Sequence, residues 1–278
     1  LLFRLVSWSE HLTTGSWIDV DDVNIFYVMR GVGQPVVFLH GWAASSFSWR
    51  KTLPVISQHF RALALDLPGF GLSKRPPTGI SLPSVTNLLM KALDRLGVEK
   101  FCLVGHSMGG AISAHIAVQY PERVDRLVLV NPSLVGGDDG RRPLAMELAR
   151  KRFISTLITR LFVRKYFIKR VLSKIYVDKS ALDDEAVEGY YESVKRAGPV
   201  LVEAGNIWRD FRTDCVYDIR CPKLFVLGGM DNVVPFRKNL ELAQKIGAEI
   251  HVEPDAGHSV HEEKAESFNN VILRFLRG

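Results

Sequence analysis

Ser107 stands in Gly105-His106-Ser107-Met108-Gly109, between an apolar run at residues 101–104 and an Ala- and Ile-containing segment at 110–120. A serine hydroxyl is a poor nucleophile unless a neighbouring base takes its proton during attack. The G-x-S-x-G spacing suits such a serine, because it exposes the hydroxyl at a sharp strand-to-helix corner. A corner this tight brings the positions two before and two after the serine together, and Gly105 and Gly109 have no Cβ to clash there. The helix that follows aims free N–H groups, and the positive end of its dipole, at charge developing beside Ser107. The chemistry expected of this stretch is nucleophilic attack on a carbonyl carbon.

Such a serine needs a base, an acid and an oxyanion site. Loops leaving the carboxyl ends of parallel strands converge on one edge of a sheet. Three loops that follow apolar runs carry suitable groups: His40-Gly41-Trp42-Ala43, Gly228-Gly229-Met230-Asp231-Asn232, and Glu253-Pro254-Asp255-Ala256-Gly257-His258. His258 is the expected general base, since imidazole titrates near neutrality. Asp231 is the expected acid, fixing the imidazole tautomer and stabilising the imidazolium. The order Ser, Asp, His along the chain is that of a known triad arrangement. The oxyanion donors expected are the backbone N–H groups of Met108, next to the nucleophile, and of Trp42, in the loop after the first of these runs. His40 and His106 flank the site and are expected to hold loops. Asp66, in Asp-x-Pro-Gly-x-Gly, reads as a structural turn, and Asp255 as a cap or turn residue.

Those loops require a particular set of elements. Residues 17–20 and 24–29 are β-rich and separated by Asp21-Asp22, which predicts an antiparallel hairpin. Runs at 36–39, 62–65, 101–104, 127–130 and 224–227 are continuously apolar, as expected of parallel strands covered on both faces. A further strand is expected at 249–252, and helices at 48–58, 84–96, 110–120, 236–246 and 262–276. Strand–helix alternation specifies a mostly parallel sheet with helices on both faces. The rhythm breaks at Asn131-Pro132 and returns at Leu224. Between them, apolar residues recur in steps of three and four at Ile154, Leu157, Ile158, Leu161 and Phe162, with Val171, Leu172 and Ile175 continuing in similar spacing. The chain therefore divides into a core over 1–133, an inserted helical lid over 134–199, and the rest of the core over 200–278.

The formal net charge is +6. Much of the positive charge lies in the insertion, at Arg141, Arg142, Arg150, Lys151, Arg152, Arg160, Arg164, Lys165, Lys169, Arg170 and Lys174. A solvated helix face is one reading of this run, and contact with an anionic membrane surface is the other. No nucleic-acid-binding motif accompanies the charge, so a nucleic-acid partner is not expected. Cys102, Cys215 and Cys221 lack metal-ligand spacing. A reducing, cytoplasmic compartment is expected from them, with membrane association through the basic insertion. No apolar run is long enough to span a bilayer. The sequence starts at Leu1 without Met, which leaves room for an upstream signal or anchor.

In these motifs, His40-Gly41-Trp42, Asp66-Leu67-Pro68-Gly69-Phe70-Gly71, Gly105 to Gly110, Gly229-Met230-Asp231 and Gly257-His258, the chain resembles the α/β-hydrolase superfamily over nearly its whole length. The resemblance implies the α/β-hydrolase fold with the triad Ser107, Asp231 and His258, and a reaction that needs no metal or organic cofactor. Epoxide hydrolases and haloalkane dehalogenases carry Asp where Ser107 stands, so neither fits. The meta-cleavage carbon–carbon hydrolases are similar in size and lid placement. They usually show Asn before the serine, a Gly-rich loop after His-Gly and Trp after the catalytic His, where this chain has His106, Trp42-Ala43-Ala44 and Ser259. Esterase-like and monoacylglycerol-lipase-like members resemble it more. The expectation is a serine carboxylester hydrolase acting through an acyl-enzyme on small to medium-chain acyl esters. Carbon–carbon hydrolysis and a receptor-like binding role with little turnover are the alternatives.

Overall fold

The computed structural model describes residues 6–134 and 164–278. Within them lies one eight-stranded sheet in the order β1-β2-β4-β3-β5-β6-β7-β8. The strands are β1 (Ser16–Val20), β2 (Val23–Arg30), β3 (Pro35–Leu39), β4 (Arg61–Leu65), β5 (Phe101–His106), β6 (Val124–Val130), β7 (Lys223–Gly228) and β8 (Glu249–Glu253). The described helices are α1 (Trp8–Thr14), α2 (Leu53–Ile56), α3 (Leu82–Arg95), α4 (Met108–Gln119), α5 (Lys165–Ile175), α6 (Asp184–Ala197), α7 (Val200–Glu203), α8 (Gly205–Asp210), α9 (Phe236–Lys245), α10 (Val260–Glu263) and α11 (Ala265–Arg277).

β1 and β2 form the expected hairpin, with Asp21 and Asp22 both at positive φ in a two-residue turn. β2 pairs antiparallel with β4, and β3 to β8 are parallel. The central strands are apolar through residues 36–39, 62–65, 101–104, 127–130 and 224–227 because alternate residues enter two different cores. On one face Phe38, Val104, Val128 and Val226 pack with Trp49, Ile56, Phe268 and Ile272. On the other, Leu39, Leu103, Leu127 and Phe225 pack with Leu89, Ile112 and Leu242. This two-faced burial fixes strand register, and so fixes where each strand ends and its loop begins.

Several elements differ from expectation, three of them near the site or its supports. The helix expected at 48–58 is two pieces, a 3-10 turn at Ser46–Trp49 and the short α2. Pro54 has no N–H to donate back to Arg50, which removes a bond a continuous helix would need. The last helix is interrupted at Lys264 (φ −124°, ψ 48°), separating α10 from α11. α1 was not anticipated, although Ser7-Trp8-Ser9-Glu10 has the S-x-x-E spacing of a helix start. Ser7 Oγ accepts the Glu10 N–H at 3.1 Å, and Trp8 N–H donates to Glu185 of α6 at 2.8 Å.

Between β6 and β7, α5 and α6 share a small core of Ile168, Leu172, Tyr176, Ala181 and Val187. Ile168 and Leu172 take the inward positions of α5, while Val171 faces solvent. The stripe expected at Ile154, Leu157, Ile158, Leu161 and Phe162, and the basic residues from Arg141 to Arg160, lie outside the described residues. α6 is well specified at both ends. Asp183 caps its first turn at 2.6 Å, Asp184 and Glu185 sit at the positive end of its dipole, and Lys195 and Arg196 sit at the negative end.

Candidate active site

Ser107 occupies the corner between β5 and α4 with φ +52° and ψ −116°, a backbone conformation costly for a residue with a Cβ. The surroundings over-determine it. Its N–H donates to Val130 O at 3.0 Å, and its carbonyl accepts from Gly110, Ala111 and Ser133 at 2.9, 3.2 and 3.0 Å. A Cβ at Gly105 would stand 2.5 Å from Gly109 O, and one at Gly109 would stand 2.4 Å from Leu39 O. Only glycine fits either place. Met108 opens α4, so its N–H has no acceptor within the helix.

Asp231 and His258 come from the loops after β7 and β8 and meet at 2.8 Å, Asp231 Oδ2 to His258 Nδ1. Asp231 Oδ1 accepts from the N–H groups of Val233 and Val234 at 2.7 and 3.1 Å, which holds the carboxylate. A carboxylate only accepts, so Nδ1 carries a proton, and in the neutral imidazole Nε2 is then the acceptor. His258 is nearly buried, and the Asp231 side chain fully so. The His258 carbonyl is itself fixed, accepting from Asn131 Nδ2 at 2.8 Å and His106 Nε2 at 2.9 Å.

Ser107 and His258 line one cavity of about 50 Å³ with Gly41, Trp42, Ala44, His106, Leu172, Ile175, Tyr190 and Ser259. Ser107 Oγ makes no hydrogen bond to His258 among the described residues. The loop carrying Trp42 follows β3. It turns tightly, with Ala44 N–H donating to Gly41 O at 3.3 Å and Ala43 at φ +62°. The Trp42 indole N–H donates to Leu201 O of α7 at 2.8 Å. Among the described residues, no three of His, Cys, Asp and Glu converge as metal ligands.

The other singled-out residues have structural partners. His40 accepts the Leu67 N–H at Nε2 (2.9 Å) and donates from Nδ1 to Gly41 O (2.7 Å), joining the loops after β3 and β4. Burial lowers its pKa to about 4. Asp66 accepts from the N–H groups of Ser46 and Leu72 at 2.6 and 2.7 Å, and burial raises its carboxyl to about 6. Gly71, at φ +55°, is required beside it, since a Cβ there would stand 2.1 Å from Asp66 Oδ2. Asp255 is an exposed turn residue.

Three features escaped sequence reasoning. Asn131, at φ +39°, joins β6 to the histidine loop and also accepts the Gly228 N–H at 2.8 Å. Its position at a strand's carboxyl end was a signal in the sequence. Arg50 and Glu262 form a buried ion pair, with Tyr190 O–H donating to Glu262 Oε1 at 2.9 Å and Arg50 reaching Asp183 at 3.4 Å. Burial would raise the Glu262 carboxyl, but the Arg50 guanidinium holds it below the ordinary range. Glu263 is the third.

A strained serine corner beside a His–Asp pair, at the carboxyl edge of a parallel sheet, is the arrangement of hydrolases of the α/β-hydrolase type. The model of the alpha/beta hydrolase fold family matches residues 34–265, and the chain belongs to that family. Among its relatives is 2-hydroxy-6-oxo-2,4-heptadienoate hydrolase of Pseudomonas putida, 30% identical, with 88% of this chain and 90% of that protein covered. Another is the uncharacterized hydrolase YugF of Bacillus subtilis, 29% identical, covering 93% of this chain and 96% of that protein. A meta-cleavage product hydrolase from Pseudomonas fluorescens superposes with a TM-score of 0.79 at 25% identity, over 96% of this chain and 98% of that one.

Proposed function

We propose that the protein is a serine hydrolase that cleaves neutral acyl esters through an acyl-enzyme. The observation that carries this is the His258–Asp231 hydrogen bond, which directs the Nδ1 proton to Asp231 and leaves Nε2 as the acceptor of the neutral ring, in a residue that lines the same cavity as Ser107. In the proposed cycle, Ser107 Oγ bonds to the ester carbonyl carbon as its proton passes to His258 Nε2. The backbone N–H groups of Met108 and Trp42 hold the oxyanion. The C–O bond to the alcohol then breaks and His258 returns the proton to it. Water, deprotonated by His258, repeats the attack on the acyl-enzyme; the acid leaves and Ser107 regains its proton.

Leu172 and Ile175 of α5 and Tyr190 of α6 roof the cavity, which supports reading the inserted segment as a lid that excludes water. The small cavity favours short acyl groups, and medium-length chains require the roof to move. Ser107→Ala should abolish hydrolysis of p-nitrophenyl butyrate; retained turnover in that variant would overturn the assignment.

Carbon–carbon hydrolysis is the second reading, favoured by the name of the Pseudomonas putida relative. A dienoate brings a carboxylate, and a buried carboxylate needs a cation beside it. The described cavity lining has no Lys or Arg, which supports the neutral ester instead. Assaying a meta-cleavage product beside the butyrate ester separates the two.

The outer face of α5 shows Tyr166, Phe167 and Val171 to solvent among Arg164, Lys165, Lys169, Arg170 and Lys174. Exposed aromatics within a basic helix support contact with an anionic lipid surface, although Lys165 and Lys169 are partly neutralised by Glu188 and Asp184. No described helix is long and apolar enough to cross a membrane. Co-sedimentation with vesicles containing phosphatidylglycerol, and not with pure phosphatidylcholine, is the expected result.

A further inference from the structure

Glu263 ends α10, where the interruption at Lys264 turns the chain before α11 begins. Its carboxylate accepts four backbone N–H groups. Two flank His258: Gly257 at 3.1 Å to Oε1 and 3.2 Å to Oε2, and Ser259 at 3.2 Å to Oε1. The other two, Val177 at 2.8 Å and Asp178 at 3.0 Å, reach Oε2 from the turn that follows α5. An ionised carboxylate offers about four acceptor positions and no donor, so it can serve all four N–H groups at once. The two loops also touch directly. A Cβ at Gly257 would stand 2.5 Å from Ile175 O, so only glycine lets them approach this closely.

Both partners of Glu263 belong to the site. One loop carries His258, and the other leaves the helix whose Leu172 and Ile175 line the cavity with Ser107. The His258 carbonyl is held from elsewhere by Asn131 and His106, while among the described residues Glu263 alone ties the histidine loop's N–H groups to the α5 turn. We propose that Glu263 is a positioning residue that fastens the His258 loop to the roof of the site, so that the two open and close as one unit. The inference rests on the reading of His258 as general base.

Glutamine has the shape of glutamate but places an NH₂ donor where one carboxylate oxygen accepted, facing N–H groups it cannot satisfy. Glu263→Gln should therefore lower kcat for p-nitrophenyl butyrate by about 10- to 100-fold with KM changed less than about twofold. In Glu263→Ala, added formate should restore part of the lost kcat, because it returns a carboxylate to the vacated space. Folded variants with kcat within about twofold of the parent would overturn the proposal.

Amide hydrogen exchange in the unmodified protein gives a test that needs no variant. Val177, Asp178, Gly257 and Ser259 should show opening free energies that agree with one another. Exchange of the Val177 and Asp178 amides on the order of 100-fold faster than those of Gly257 and Ser259 would overturn the shared unit. This arm reads the clasp without turnover, so its failure is distinct from failure of the Ser107 assignment.

Discussion

His258 donates its Nδ1 proton to Asp231 Oδ2 at 2.8 Å, across 27 residues of chain that run from the end of β7, through α9 and β8, to the next strand-end loop. The bond depends on carboxylate chemistry at one oxygen only, since Asp231 Oδ1 is held by Val233 and Val234.

Asp231→Asn should therefore keep the loop and lose the chemistry. The amide oxygen can still accept the Val233 and Val234 N–H groups, while its NH₂ favours the imidazole tautomer protonated at Nε2, which cannot take the Ser107 proton. The expected outcome is a fall of about 10²- to 10⁴-fold in kcat with little change in melting temperature. Steady-state kinetics beside a thermal melt checks it. Unchanged kcat would remove Asp231 from the mechanism.

The buried Arg50–Glu262 pair anchors α6 and Tyr190 to the core, with side chains 1% and 0% exposed. Removing one partner strands the other charge, so Arg50→Met or Glu262→Leu alone should cost about 3–5 kcal/mol. The double substitution should recover at least about half of the summed cost, because neither charge is then left unpaired. Urea unfolding of the four proteins closes the cycle, and strictly additive costs would show that the pair is not coupled.

Acid stability follows from the buried histidines. Burial lowers His11 to about 3, with Arg30 and Arg50 adding to the shift, and lowers His40 and His261 to about 4. His106 is also held well below its ordinary value, by burial first and then by neighbouring histidines. Their folded values lie below the unfolded value of about 6.5, so their stabilisation is present above that pH and is lost as pH falls toward the folded values. Asp66 acts in the opposite sense. Its folded value of about 6 exceeds the ordinary one, so its stabilisation is present at low pH and lost as pH rises through about 6. Four histidines outweigh one carboxyl, and unfolding near pH 5.5 should take up about two to three protons from these groups. Urea midpoints should drop steadily between about pH 7 and pH 5. A flat profile would contradict the neutral burial of these rings.

How much of this was legible in the sequence depended on whether the cause was local. Gly105 and Gly109 could be read because the corner at Ser107 is a steric demand within five consecutive residues. Asp231 and His258 could be read because apolar runs announce strands, and strand ends announce where polar groups gather. Asn131 carried the same strand-end signal, but its partners did not, and Glu263 and Arg50 could not be read in this way at all. Their partners are backbone groups, or a charge as far as 212 residues away, and no spacing rule connects them. The break in the helix at 48–58 was local, at Pro54, and α1 carried its own capping signal in Ser7 and Glu10.

The central claim is that Ser107 carries the acyl group. Reaction with a fluorophosphonate, followed by intact-mass and peptide mass spectrometry, tests it most directly. The account predicts a single adduct per chain, mapped to Ser107 and absent from Ser107→Ala. An adduct on any other residue, or one that persists in Ser107→Ala, would contradict it.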